Sequence, residues 1–357
     1  MRIYFGIVAV EIKMGIKNGF QGFKKKLVKW LPLLLFFLTG VLIGWVIGSD
    51  WIHSDSESSK GYEIRQSGYS FTNPLLECEV ARDIVESREL RPFKYKIKAL
   101  IDDRINSKKA LHISVYFRDL NNGPWFGISE KEEFSPASLQ KVPIMIAYLK
   151  LAESDPKILA KKIKYDGNQD DNAKENIKPS VSLVKGKSYS IEELLYRMIV
   201  YSDNNAWGLL VLNIDINSLY RVFFDLGVTV PDVRKPNDYM TVKAYAAFFR
   251  ILFNASYLNR EMSEKALEYL TQVEFKEGLV GGLPQGIAIA HKFGERSLGS
   301  NNEIKQLHDC GIIYYPNRPY LLCVMSRGYD FTTLDDNIRN ISYLVYEEID
   351  SQARNKQ

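Results

Sequence analysis

Between Trp30 and Gly48 the chain runs for nineteen residues without a charged side chain. At about 1.5 Å per helical residue such a run spans roughly 28 Å, close to the hydrocarbon thickness of a bilayer. Lys24, Lys25, Lys26 and Lys29 precede it; Asp50, Asp55 and Glu57 follow it. Basic flanks stay on the cytoplasmic side. The run therefore predicts a single transmembrane helix, with residues 1–29 as a cytoplasmic basic tail and everything from residue 49 outside. Trp30, Trp45 and Trp51 fall where interfacial aromatic residues belong. A cleaved signal peptide is the rival reading, but its apolar core is shorter, about 7–15 residues, and ends in a small-residue site that is missing here. Gly40, Gly44 and Gly48 share one face of the run, a spacing that suits a close-packed dimer seam.

The split also sorts the charge. Residues 1–30 carry a net charge of +6, whereas the whole chain carries +4, so the remainder is acidic by two. The basic balance belongs to the tail. No exported basic surface remains to argue for nucleic acid. Neither C-x-x-C nor H-E-x-x-H occurs, so no metal site is expected. Of Cys78, Cys310 and Cys323, the last two flank an expected hairpin. With Asn317 and Arg318 as its turn, residue 310 faces 325, the two thiols lie diagonally, and buried free thiols are the expectation.

Residues 49–90 read as a polar tether and extension, and residues 91–350 as one folded domain. Phe93, Ile97, Leu100, Ile101 and Ile105 keep helical spacing. LHISVYFRDL alternates as a strand does, Asn121-Asn122-Gly123 makes a turn, and PWFGI begins a second strand. Residues 155–189 are polar, with short strand-like pieces. Ser190 with Glu193 three residues on predicts a capping box and a helix. Further helices fit Thr241–Phe253, Ser263–Val273 and Thr333–Gln352. IAIAHKFGE, HDCGIIYY and YLLCVMSRG read as strands. Strands gathered into one antiparallel sheet with helices packed on it predict an α+β fold, an α/β sandwich that includes the terminal helices.

Three serines stand three residues before a lysine: Ser138/Lys141, Ser154/Lys157 and Ser182/Lys185. Only Ser138 opens an apolar run, Val142 to Leu149. A serine there suits a helix N-cap. It also suits a nucleophile whose base sits one turn on. Two more short motifs follow in order, Ser202-Asp203-Asn204 after a capped helix and Lys292-Phe293-Gly294 at the end of an apolar strand. S-x-x-K with S-D-N and K-x-G resembles the class A β-lactamase-like family, within the serine β-lactamase and penicillin-binding protein superfamily. The resemblance runs from about Arg91 to Asp350.

What the resemblance implies can be argued chemically. Lys141, its pKa lowered by burial and by Lys292 as a second cation, takes the Ser138 proton. Ser202 relays a proton to the departing nitrogen. Asn204 holds the substrate side chain. The resemblance places the two N–H donors for the oxyanion on Ser138 and Glu295, with Gly294 leading into the second. No cofactor is implied. His291 reads as a packed or solvent-tipped neighbour, not as a catalyst. The expected function is an extracytoplasmic serine hydrolase acting on β-lactams or related amides through an acyl-serine intermediate. The alternatives are a cell-wall D-Ala-D-Ala peptidase or transpeptidase, and a non-catalytic protein that senses wall fragments.

Two features depart from the resemblance. Family members carry Ser or Thr where this chain has Phe293, and that hydroxyl helps bind a substrate carboxylate; here a carboxylate must rely on Lys292 or on a nearby Arg, with Arg296 and Arg327 the candidates. The family's E-x-x-L-N loop, whose Glu activates the deacylating water, has no counterpart. Gly227–Tyr239 offers only Asp232 and Asp238, and Asp238 suits a cap for the next helix. Slow deacylation is the expectation.

Overall fold

A computed structural model of the chain describes residues 63–65, 68–78, 90–121, 123–173, 175–230 and 238–355. Trp30–Gly48, with its glycine seam, and Asp232 lie outside the described residues. Among the described residues no helix is long and apolar enough to cross a membrane.

Five strands make the central sheet: β1 (His112–Asp119), β2 (Trp125–Ile128), β3 (Ile289–Leu298), β4 (Ile304–Ile313) and β5 (Tyr320–Gly328). Their order is β2-β1-β5-β4-β3, and every neighbouring pair is antiparallel. Successive side chains of a strand point to opposite faces. Accordingly Val115 and Phe117 enter one apolar layer, while Tyr116 between them enters the other. Both faces are covered, which is why the apolar strand segments are nearly continuous in the sequence.

The helices are α1 (Arg91–Asn106), α2 (Lys141–Ser154), α3 (Ile191–Val200), α4 (Asn204–Leu212), α5 (Ile216–Asp225), α6 (Val242–Phe253), α7 (Arg260–Thr271), the single turn α8 (Gly278–Gly281) and α9 (Phe331–Arg354). Helices α1 and α9 come from opposite ends of the domain and pack together on one sheet face. Phe93, Ile97 and Ile101 of α1 meet Ile338, Ile341 and Val345 of α9 in that layer. The other face carries the larger layer, centred on α2. Helix α2 is buried almost all round, from Val142 through Leu149; a helix without a polar face belongs inside a protein.

Four local expectations are corrected. Cys310 lies directly opposite Cys323, with Cα atoms 4.0 Å apart, and the two form a disulfide. The strands pair Ile313 with Tyr320, so the paired segments end with six residues between them and the partner of residue 310 moves by two, from 325 to 323. Ser190 does cap α3 by accepting from Glu193 N at 3.1 Å, but the Glu193 carboxylate turns to Arg197 instead of closing the box. Thr241, not Asp238, caps α6, accepting from Ala244 N. Asp238 instead accepts from Arg327 at 2.6 Å and from Gln306 at 3.1 Å. Helix α5, absent from the sequence reading, starts at an Asp215 cap and buries Leu219, Val222 and Phe223.

Candidate active site

Ser138 does not cap α2. It sits in a 3-10 turn, Ala137–Gln140, that leads into the helix. The Lys141 backbone N–H donates to the Ser138 carbonyl, so the two residues are one turn apart. Ala137 has φ of +48°, a left-handed conformation that an alanine adopts only under constraint. The constraint is visible on every side. Leu139 N donates to Pro136 O at 2.9 Å. Ser135 N donates to Gln306 Oε1 at 3.1 Å, and Tyr245 OH donates to Leu139 O at 3.0 Å. His308 Nε2 stands 3.0 Å from Ser135 O, and burial lowers the His308 pKa to about 4. The ring is therefore neutral, with its proton on Nε2 toward that carbonyl. Strand β3 presses on the turn from the other side. A Cβ on Gly294 would stand 2.9 Å from Pro136 O and 3.1 Å from Leu139 N. Only glycine lets the strand come this close.

Lys141, Ser202 and Lys292 meet beside this turn, and all three are buried. Lys141 Nζ donates to Ser202 O at 2.6 Å, Ser202 Oγ at 3.0 Å and Asn204 Oδ1 at 2.6 Å. Lys292 Nζ donates to the same Ser202 Oγ at 3.0 Å and to Phe293 O at 3.0 Å. One hydroxyl thus joins two amines. Ser202 itself has φ of +58°, a second left-handed residue. Burial lowers the Lys141 pKa to about 7, against the opposing pull of Glu175, Asp203 and Glu295. Lys292 falls well below the ordinary lysine range, by burial first and by Lys141 second. The sequence reading credited both burial and Lys292 with depressing Lys141; burial is the leading cause in the structure.

The Ser202–Asn204 turn is fixed by a polar network. Asp203, fully buried, caps α4 by accepting from Asn205 N at 2.8 Å and Ala206 N at 3.2 Å. It also accepts from Asn172 Nδ2 at 2.9 Å, and Asn172 Oδ1 accepts from Asn204 N at 2.7 Å. Asn205 Nδ2 donates to Asp170 Oδ1 at 2.9 Å. The polar segment around residues 170–176 is therefore folded onto this turn, side chain against backbone. Ser154 and Ser182, the other serines of their motifs, are exposed.

Sequence reasoning missed Glu175 and Asn176. The Glu175 carboxyl accepts from Asn204 Nδ2. One residue on, Asn176 donates through its backbone N at 2.7 Å and its Nδ2 at 2.6 Å to the Glu295 carboxylate, and Ile177 N adds a third bond at 2.8 Å. Residues 175–177 thus tie Asn204 to strand β3. The Glu175 pKa is raised, by burial first and by the neighbouring Glu295 carboxylate second. A dense run of Asp, Asn, Gln and Glu from 166 to 176 between the first two motifs was the available signal.

Phe293 stacks on Phe275, ring centroids 4.2 Å apart, and its ring lies 4.1 Å from Lys292 Nζ. Arg296 donates to Ser135 Oγ at 2.7 Å. Arg327 pairs with Glu132 at 3.0 Å and Asp238 at 2.6 Å. His291 is buried with Nδ1 at 2.9 Å from Asp309, the packed one of its two expected settings. Among the described residues no group of His, Cys, Asp and Glu could hold a metal ion.

An antiparallel sheet between helical layers, with a Ser-x-x-Lys turn, a Ser-Asp-Asn turn and a Lys-x-Gly strand converging on one hydroxyl, defines the serine β-lactamase and penicillin-binding protein superfamily. The model of the beta-lactamase enzyme family matches residues 92–349, and the chain belongs to that family. Similar solved structures include PBP-A, 21% identical with a TM-score of 0.61, covering 73% of this chain and 97% of that one. A β-lactamase from Xanthomonas campestris pv. campestris is 23% identical with a TM-score of 0.58, covering 70% and 96%. The TLA-1 extended-spectrum β-lactamase is 19% identical with a TM-score of 0.61, covering 71% and 98%. At these identities the likeness speaks for the fold. No curated protein matches the chain.

Proposed function

We propose that the protein is a membrane-anchored, extracytoplasmic serine hydrolase that acts on β-lactams or related amides through an acyl-Ser138 intermediate. The observation that carries this reading is the shared hydroxyl of Ser202, 3.0 Å from Lys141 Nζ and 3.0 Å from Lys292 Nζ. Neutral Lys141 accepts the Ser138 proton as Oγ attacks the carbonyl carbon. The backbone N–H groups of Ser138 and Glu295 receive the oxyanion, worth roughly 3–4 kcal/mol for each such donor. Lys141 then passes a proton to Ser202, whose own proton goes to the leaving nitrogen. The C–N bond breaks and the acyl group stays on Ser138. Asn204 holds the substrate side chain, and Gly294 lets β3 lie close enough to present the second donor.

Phe293 favours a second reading, a non-catalytic binder of wall fragments, because its ring cannot bind a carboxylate as a hydroxyl would. A fluorescent penicillin separates the readings. The hydrolase gains a covalent label that Ser138→Ala lacks, and a binder retains the probe only until denaturation.

The anchor rests on the uncharged run Trp30–Gly48 behind four lysines. Alkaline phosphatase fused after Ser56 should be active outside the cytoplasmic membrane. An inactive cytoplasmic fusion would overturn the orientation.

A further inference from the structure

We propose that this cleft selects amide substrates bearing an ammonium group, and disfavours those bearing a carboxylate, at the flank bounded by Glu175 and Glu295. The inference rests on the acyl-Ser138 reading and names its substrate class.

Three observations converge. The residue after Lys292 offers a carboxylate nothing, because Phe293 is an aromatic ring stacked on Phe275. The two nearby arginines are engaged elsewhere, Arg296 with the Ser135 hydroxyl and Arg327 with Glu132 and Asp238. Two carboxyls stand instead beside the groups proposed to hold the substrate. Glu175 lies on the Asn204 amide, Glu295 supplies the proposed oxyanion N–H, and its carboxylate is bonded to Asn176, the residue next to Glu175. An incoming carboxylate meets charge of its own sign.

The bonding of Glu295 adds a reason specific to ammonium. Its carboxylate accepts three N–H bonds from Asn176 and Ile177. Those bonds hold residues 175–177 between the Asn204 turn and β3. On the acyl-Ser138 reading, a substrate held by Asn204 and by the Glu295 N–H has to displace them. Left without donors, a buried carboxylate is strongly penalised. A primary ammonium carries three N–H donors, so it replaces the three lost bonds with charge-assisted ones. A neutral amide replaces them in part, and a carboxylate not at all.

The test uses the full chain and three forms of benzylpenicillin: the free acid, its ethylamide and its 2-aminoethylamide at the same carboxyl. Intact-mass measurement gives the second-order rate of adduct formation at Ser138. A fluorophosphonate, which needs no charged contact, reports nucleophilicity separately. The expected order is aminoethylamide, ethylamide, acid, with about tenfold or more between the extremes, as one nearby charge pair supplies at intermediate dielectric. The spread should shrink with added salt. Glu295→Gln and Glu175→Gln should each compress it further. Fluorophosphonate labelling with the free acid reacting as fast as the aminoethylamide, or faster, would overturn the inference and leave the serine reading standing. Labelling by no probe, fluorophosphonate included, would overturn both.

Discussion

Lys141 Nζ lies 2.6 Å from the carbonyl oxygen of Ser202 and 3.0 Å from its hydroxyl. This contact crosses between the first two motifs and gives the Ser138–Lys141 pair a use that the other two Ser-x-x-Lys pairs lack. Lys141→Ala should slow acylation by a general-base factor of about 10²–10⁴. Lys157 and Lys185 are exposed, and their alanine variants should acylate at the wild-type rate. Stopped-flow labelling measures all three. Equal losses at the three positions would assign the nucleophile wrongly.

The pH profile follows from burial. The base form of Lys141 is the neutral amine, and its fraction grows as pH rises through the lowered pKa of about 7. The acylation rate should climb through that region and then level. Glu175 raises the Lys141 pKa, so removing its charge should lower it. Glu175→Gln should therefore move the midpoint to lower pH. A midpoint near 10 in the wild-type profile, where a free lysine titrates, would contradict the buried-base account.

Gly294→Ala tests how the strand and the Ser138 turn share space. The added Cβ meets backbone atoms of Pro136 and Leu139 at 2.9 and 3.1 Å. Backbone cannot swing aside as a side-chain tip can. Overpacking of this kind costs about 1–3 kcal/mol, and the turn is what moves. Thermal unfolding should fall by a few degrees while acylation falls far more. Unchanged acylation in Gly294→Ala would separate the turn from the chemistry.

Deacylation should lag behind acylation. In the segment where the family places its water-activating Glu, the described carboxylate is Asp238, and it is bound to Arg327 and Gln306. A missing general base slows a step by about 10²–10⁴. A chromogenic cephalosporin should give a burst followed by slow turnover, insensitive to Asp238→Asn. Steady turnover without a burst, abolished by Glu175→Gln, would contradict this and make Glu175 the base.

Much of this arrangement was legible because it is written in pattern. The apolar strands and the α2 run follow from burial on all sides, and the three motifs mark residues that meet in space. What escaped was set by tertiary contact. The Cys310–Cys323 register depends on a loop whose length no dipeptide announced. Asp238 was drawn away from the α6 cap by Arg327, nearly ninety residues on. Glu175 sits in a polar stretch with no periodicity, and its meaning appears only once Asn172 and Asp170 have docked it onto the Asn204 turn. The burial that lowers the Lys141 pKa was legible in the apolar run after it, whereas the opposing pull of Glu175 was not, since composition shows which charges exist but not which come close.

Peptide-level mass spectrometry after exposure to a fluorophosphonate addresses the central claim most directly. The account predicts one modified peptide, carrying the adduct on Ser138, at a rate cut by Lys141→Ala and rising with pH through about 7. An adduct on another serine, or a Ser138 that stays unmodified while its peptide is fully recovered, would contradict it.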